Sequence, residues 1–326
     1  MYKSIDVIKL LMSIFVVTIH CSIVNHIKYD ILNRIFTAII FTAVPFFYTI
    51  SAYFLFKNIK SDNDGNFINR IEFKNKKKKY LSHILRMYIL WFVIYNYQNL
   101  FNIVVNQDID LFIKVVKKFF LWGNGHLWYL WGLILIIPLL SKLVFLKLKP
   151  IYLVIIGLGL TIMFRLYSHY GSVEDPIWWQ KPFVYMWKGE IINIFGLCYS
   201  FAYMTVGIFM ALEDGWRFIS NRYLWIILIL GLIYCCIDKS GVSIGYQPVA
   251  FSIAALSFKW NIKKNSIFIR YSRDLSTYIY LVHGFGIACA YKYCNVPLYG
   301  WLLSICFSFL MALTIIKIKK ITSKIC

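Results

Sequence analysis

Three ionisable side chains stand in the first apolar stretch of the chain: Asp6, Lys9 and His20. Each costs roughly 2.5–3.5 kcal/mol to hold at the centre of a membrane helix, so their retention calls for a reason. Asp6 and Lys9 are three residues apart and share a helical face. Lys9 and His20 are eleven apart, close to three turns at about 3.6 residues per turn, and Ser13 falls on the same side. The spacing predicts a polar stripe from Asp6 to His20. Its lower end could be a simple ion pair between Asp6 and Lys9 in the headgroup zone. A lone membrane imidazole, by contrast, is buried against a partner or lines a cavity. With an ordinary pKa of about 6.5 it can take a proton near neutral pH, as a general base must. Polar groups along a helix can equally line a passage for a solute.

The elements that must position these residues follow from composition. The chain has 326 residues, 60% hydrophobic and 15% charged, against about 25% charged in an ordinary soluble domain. Apolar runs at 5–24, 31–56, 80–105, 127–145, 151–166, 191–212, 223–237, 244–260, 275–294 and 298–318 predict roughly ten crossings, many of them close to the ~20 residues a bilayer requires. The expected fold is all-α: one polytopic membrane bundle over 1–326. No internal repeat is evident, which counts against a transporter built from two halves. The stretch 108–122, with Lys114, Lys117 and Lys118 among apolar residues, reads as a helix lying in the interface.

The net charge of +21 sits between apolar runs rather than on one groove, which argues against nucleic acid as a partner. A basic loop at 57–79 holds Lys57, Lys60, Arg70, Lys74 and the run from Lys76 to Lys79. Lys142, Lys147, Lys149, Arg217, Arg222, Lys259, Lys263, Lys264, Arg270, Arg273 and the C-terminal lysines fall on the same side. The opposite side is poorer in cations, with Lys28, Lys181, Lys188, Lys239 and Lys292. Positive charge is retained in the cytoplasm, so both termini are expected there. The first stretch, interrupted by Asp6 and Lys9, reads as a retained helix rather than a cleaved signal. Eight scattered cysteines without a C-x-x-C pair read as small core residues. Metal chemistry is not expected, for want of an H-E-x-x-H motif or paired cysteines.

Asp6-Val-Ile-Lys9, ten residues and then His20 resembles the first-helix signature of acyltransferase family 3, with an acid, a cation three later and a His eleven further on. Pro45-Phe-Phe-Tyr-Thr-Ile-Ser51-Ala52 resembles that family's second-helix motif, His126-Leu-Trp128-Tyr129-Leu its H-L-W-F-L segment, and Tyr278-Ile-Tyr280-Leu-Val-His283 its late Y-L-x-H. Together they cover nearly the whole chain. Departures are Lys9, where many members have Arg, Ala52, where Gly is usual, and His83-x-x-Arg86, where R-x-x-R is common.

The resemblance implies a bacterial cytoplasmic-membrane O-acyltransferase. It would move an acetyl or other short acyl group from cytoplasmic acyl-CoA, a donor rather than a permanent cofactor, to a hydroxyl of a cell-envelope glycan or lipid-linked sugar. His20 is then the candidate base or acyl carrier, with Lys9 facing the donor, Asp6 either holding Lys9 or orienting a donor group, and His126 near the outer surface. Lys79 and Arg86 are candidates for the donor's phosphates, which favour several cations. His283 is a candidate donor contact, or a hydrogen-bonding residue between helices. Glu190 and Arg165 stand near outer helix ends, where snorkelling is the simpler reading. Without a fused esterase-like domain, transfer is expected to be completed by this chain or by a separate extracytoplasmic transferase. The competing readings are a transporter or flippase of a polysaccharide precursor and a non-catalytic partner of an envelope machine.

Overall fold

The computed structural model describes residues 2–21, 23–59, 68–123, 125–170, 177, 194–238, 243–262, 267–294 and 296–325. Among these the regular elements are all helices: α1 (Lys3–His20), α2 (Asp30–Ile40), α3 (Ala43–Phe56), α4 (Arg70–Tyr95), α5 (Tyr97–Asn106), α6 (Ile109–Lys117), α7 (Trp128–Phe145), α8 (Pro150–Tyr170), α9 (Ile194–Leu212), α10 (Asn221–Asp238), α11 (Tyr246–Lys259), α12 (Ile267–Tyr293) and α13 (Pro297–Ile325), with short 3-10 and π turns between some of them. Lys60, Lys181, Lys188, Glu190, Lys239, Lys263 and Lys264 lie outside the described residues, as do the side chains of His169 and Arg270.

Each of the ten apolar runs is helical, but not each is one helix. The second breaks at Phe41 and Thr42. Pro45 has no N–H to give the Phe41 carbonyl and its ring crowds it, which interrupts the ladder between α2 and α3, whereas α7 runs on through Pro138. The third divides at Asn96 into α4 and α5; Asn96 is buried, and its side-chain amide and backbone N–H both donate to the Phe92 carbonyl, at 2.9 and 3.0 Å. The basic loop expected over 57–79 is a loop only in part. Helix α4 starts at Arg70, ten residues before the predicted crossing. Nothing from Arg70 to Tyr95 is Gly or Pro, and Lys and Glu are good helix formers, so charge does not stop the helix. The 108–122 stretch is helical as expected. Asp108 caps α6 by accepting from the Leu111 amide at 2.8 Å, and a π turn over Lys118–Trp122 follows. That turn ends at Gly123, where φ is +71° and a Cβ would stand 2.7 Å from the Trp128 Cα. Only glycine fits there.

The described residues contain four segments long and apolar enough to cross a membrane: Asp30–Phe56, Ile109–Phe145, Asn221–Asp238 and Pro297–Thr322. Pro150–Leu166 and Gly196–Leu212 are shorter apolar helices. The remaining long helices, α1, α4 and α12, carry the charges that lower their apolar content. Helix α10 shows why lipid is the solvent. Ile226, Ile229, Leu230, Ile233 and Ile237 line one exposed face at helical spacing, while Leu224, Leu228, Gly231 and Cys235 are buried. A contiguous aliphatic face of that size is not left bare in water.

The chain forms two compact units, Met1–Phe47 with Gly215–Cys326, and Tyr48–Asp214. In the first, Leu10, Val17 and Cys21 from one face of α1 meet Leu275 and Ile279 of α12 and Ala312 and Ile316 of α13. Helix α13 approaches α12 closely at Gly286, where a Cβ would lie 2.2 Å from the Ser308 Oγ. Small residues allow such backbone contact where lipid supplies no hydrophobic drive between helices. In the second unit, a Cβ on Gly207 of α9 would lie 2.1 Å from the Thr49 carbonyl oxygen. The Thr49 hydroxyl donates to the Tyr203 carbonyl at 3.1 Å in the same seam.

Candidate functional site

In the first unit the polar stripe of α1 meets α12 at both ends. Asp6 is 2% exposed and accepts two bonds from Arg273, Nε to Oδ1 and Nη2 to Oδ2, both at 3.1 Å. This is the two-point carboxylate geometry that guanidinium provides and ammonium does not. Arg273 is itself half-exposed. Lys9 is partly buried one turn along α1 and lies within electrostatic reach of both Asp6 and Arg273. One carboxylate therefore faces two cations, and the cluster keeps a net charge of +1 when all three are ionised. The pairing of Asp6 with Lys9 that the spacing allows is thus shared with a residue 267 positions away.

Fourteen residues along α1, about 21 Å at 1.5 Å per residue, His20 stands exposed at the helix end. Its ring lies 5.0 Å, centroid to centroid, from that of His283, with the planes inclined by 31°. His283 is buried, and its Nδ1 stands 2.6 Å from the Tyr280 carbonyl oxygen. A carbonyl only accepts, so Nδ1 carries the proton in this bond and, in the neutral ring, Nε2 is the basic nitrogen. The end of α1 is held from two further directions. The Trp301 indole donates to the Thr18 hydroxyl at 3.0 Å, and the Tyr291 hydroxyl donates to the Cys21 carbonyl at 2.7 Å. Ser13, midway along the stripe, is buried and bonds back to the Leu10 carbonyl at 2.7 Å. It adds polarity without a cross-helix partner in that bond.

These pairings fix direction. Arg273 meets Asp6 and, ten residues later, His283 meets His20, so α1 and α12 run parallel.

In the second unit two of the sequence motifs come together. Tyr48 donates its hydroxyl to the Tyr129 carbonyl at 3.2 Å, and the Ser51 and Tyr129 hydroxyls bond at 3.0 Å. Tyr80 shares the Ser51 hydroxyl. His126 packs edge-on against Tyr95, with ring centroids 4.3 Å apart. Lys79 and Arg86 lie exposed on α4, and Arg86 bonds back to the Ser82 carbonyl of its own helix at 3.2 Å. Lys76, one of the cations of the basic stretch, donates to the Phe54 and Leu55 carbonyls at 2.8 and 3.0 Å. It caps the end of α3.

Sequence reasoning missed Arg273, which reads as one more cytoplasmic cation. The available signal was its place inside a long helix, ten residues before a membrane His. Trp301 and Tyr291, which hold the end of α1, carry no sequence signal beyond their aromatic character.

A family model described as an acyltransferase domain matches residues 2–317. The chain is 23% identical to an amino-acid racemase of Enterococcus faecalis, over 98% of this chain and 46% of that protein. It therefore spans less than half the length of this curated relative. No solved structure gives a significant match.

Proposed function

The chain belongs to acyltransferase family 3, and from that premise we propose that it moves an acetyl or other short acyl group from cytoplasmic acyl-CoA to a hydroxyl of a cell-envelope glycan or its lipid-linked precursor, within the bacterial cytoplasmic membrane. The observation that carries this reading is the meeting of His20 with His283, 5.0 Å apart, at the far end of α1 from the Asp6–Arg273 pair. A base and a charged cluster about 21 Å apart on one helix suit a donor with a long anionic carrier and a reactive thioester at its tip.

In the transfer, the acceptor oxygen attacks the thioester carbonyl carbon and the C–S bond breaks. His20 takes the hydroxyl proton and returns it to the departing thiolate. A route in which His20 first carries the acyl group has the same balance over two steps. His283 holds the His20 ring through their contact, a positioning role that the geometry favours over the donor contact suggested by sequence. Lys9 and Arg273, in excess over Asp6 by one charge, attract an anionic donor from the cytoplasmic side. Lys79 and Arg86, exposed on α4, stay candidates for the donor's phosphates, and His126 a candidate on the acceptor side, on the family resemblance alone. The parallel run of α1 and α12 suits the first and ninth of ten alternating crossings with both termini in the cytoplasm. The racemase activity named for the Enterococcus relative is not carried over, because more than half of that protein has no counterpart in the match.

The test is incubation of the purified protein with labelled acetyl-CoA or succinyl-CoA and envelope extract, followed by identification of the labelled product. An ester on a glycan is the expected result. Unlabelled glycan, together with intracellular accumulation of polymer in a strain lacking the gene, would replace transfer with transport.

A further inference from the structure

Within the second unit, the first turns of α4 and the last turn of α7 enclose a groove of about 610 Å³. Its walls include Arg70, Lys74, Lys77 and Lys142, with Pro138 and Phe145 beside them, and no acid is among the lining residues. Arg70, Lys74 and Lys77 recur at helical spacing, so they share one face of α4. Like charges at that spacing repel, and a fourth cation facing them from α7 adds to the strain. Burial, and then the neighbouring Lys74, hold the Lys77 ammonium below the ordinary lysine range. An anion seated among them would relieve this directly.

The groove is built rather than a chance meeting of mobile lysines. Phe73 is 3% exposed and packs against Phe56 and Phe145, with ring centroids at 5.1 and 5.4 Å. That contact sets the start of α4 against the end of α7. The Arg70 guanidinium lies over the Phe145 ring at 5.1 Å, which holds the planar cation at the rim. The turn of α4 sorts the lysine run: Lys76 is engaged with α3, Lys77 enters the groove, and Lys78 and Lys79 are exposed.

The opposite end of the feature is apolar. On α7, Leu135, Pro138 and Leu139 are exposed and lead to Lys142 on one helix face. This face belongs to the segment Ile109–Phe145, long and apolar enough to cross a membrane. A cationic cup at the end of a bare aliphatic stripe has the shape of an anionic amphiphile, not of a compact polar solute. We propose that this groove binds the phosphodiester headgroup of an anionic phospholipid, whose acyl chains lie along the exposed face of α7. The site is separate from the residues assigned to acyl transfer and stands whether or not that assignment does.

The test uses the full chain purified in detergent, with phosphatidylglycerol and phosphatidylcholine offered in equal amounts and bound lipid read by native mass spectrometry. The unaltered protein should retain phosphatidylglycerol selectively, and that lipid alone should raise its thermal midpoint. A membrane-surface cation contributes about fivefold to anionic-lipid binding, so K74Q/K77Q/K142Q should lose on the order of 100-fold in selective retention. K78Q/K147Q/K149Q, with the same change in net charge, should keep it. Equal loss in both triple variants would reduce the groove to diffuse charge and overturn the proposal. So would absence of selectivity in the unaltered protein. Displacement of the lipid by 3′,5′-adenosine bisphosphate would also overturn it, giving the groove to a nucleotide donor.

Discussion

The Asp6–Lys9–Arg273 cluster predicts an unequal response to removing its members. Asp6 is 2% exposed and is bound at two points by Arg273 at 3.1 Å, with Lys9 also within electrostatic reach. Arg273→Ala leaves a carboxylate and an ammonium that can still neutralise each other. The lost guanidinium was half-exposed, so the loss should fall below that of a fully buried pair, at about 1–2 kcal/mol. Asp6→Ala leaves two cations facing each other in the same pocket, with no acid to offset either. Breaking a buried pair in that sense costs about 3–5 kcal/mol. Removing Arg273 from the Asp6→Ala background then relieves the repulsion, so the double variant should be more stable than Asp6→Ala alone. The coupling free energy of the cycle should be about 2 kcal/mol, well outside the ~0.5 kcal/mol expected for independent sites. Reversible unfolding in mixed micelles of the four proteins measures each corner. If Arg273→Ala were as damaging as Asp6→Ala, or if the two losses simply added, the arrangement of one acid between two cations would be refuted.

His20→Ala should lower acyl transfer by about 10²–10⁴-fold while the protein remains monodisperse in detergent, the range lost with a general base; an unchanged rate would remove His20 from the chemistry. His283→Gln should lower kcat by up to about 100-fold through misplacement of the His20 ring, with the KM for the donor unchanged. A raised donor KM at constant kcat would instead restore the donor contact that sequence suggests for His283.

The existence of the helices was legible because apolar runs near membrane length admit few alternatives, and every one of the ten lies on a helix in the structure. Their ends were less so. A helix keeps its backbone bonds through a basic stretch as readily as through an apolar one, so the change of composition at Tyr80 marks a change of solvent and not the start of α4 at Arg70. The break before α3 could have been foreseen from Pro45, four residues after Phe41. Where α4 gives way to α5, the Asn96 amide bonds the Phe92 carbonyl rather than water, a choice that burial decides and sequence does not state.

The site divides along the same line. Spacing on α1 selects Asp6, Lys9 and His20 because one helix fixes its own faces. It does not say which other helix those faces meet. Motif resemblance marked His283 without its neighbour, and charge bias counted Arg273 as one cation among many. A parallel helix resolves both at once. Ten residues of α12 carry Arg273 and His283 to positions fourteen residues apart on α1. The mismatch, about 15 against 21 Å, is within the reach of a long arginine side chain turned back along its helix. A lysine at 273 has nearly the same reach but cannot offer Asp6 two N–H donors in a fixed planar fork. For that reason the guanidinium suits this position, and α12 supplies the partner that turns a polar stripe into a charge cluster around one buried carboxylate at one end and an imidazole pair at the other.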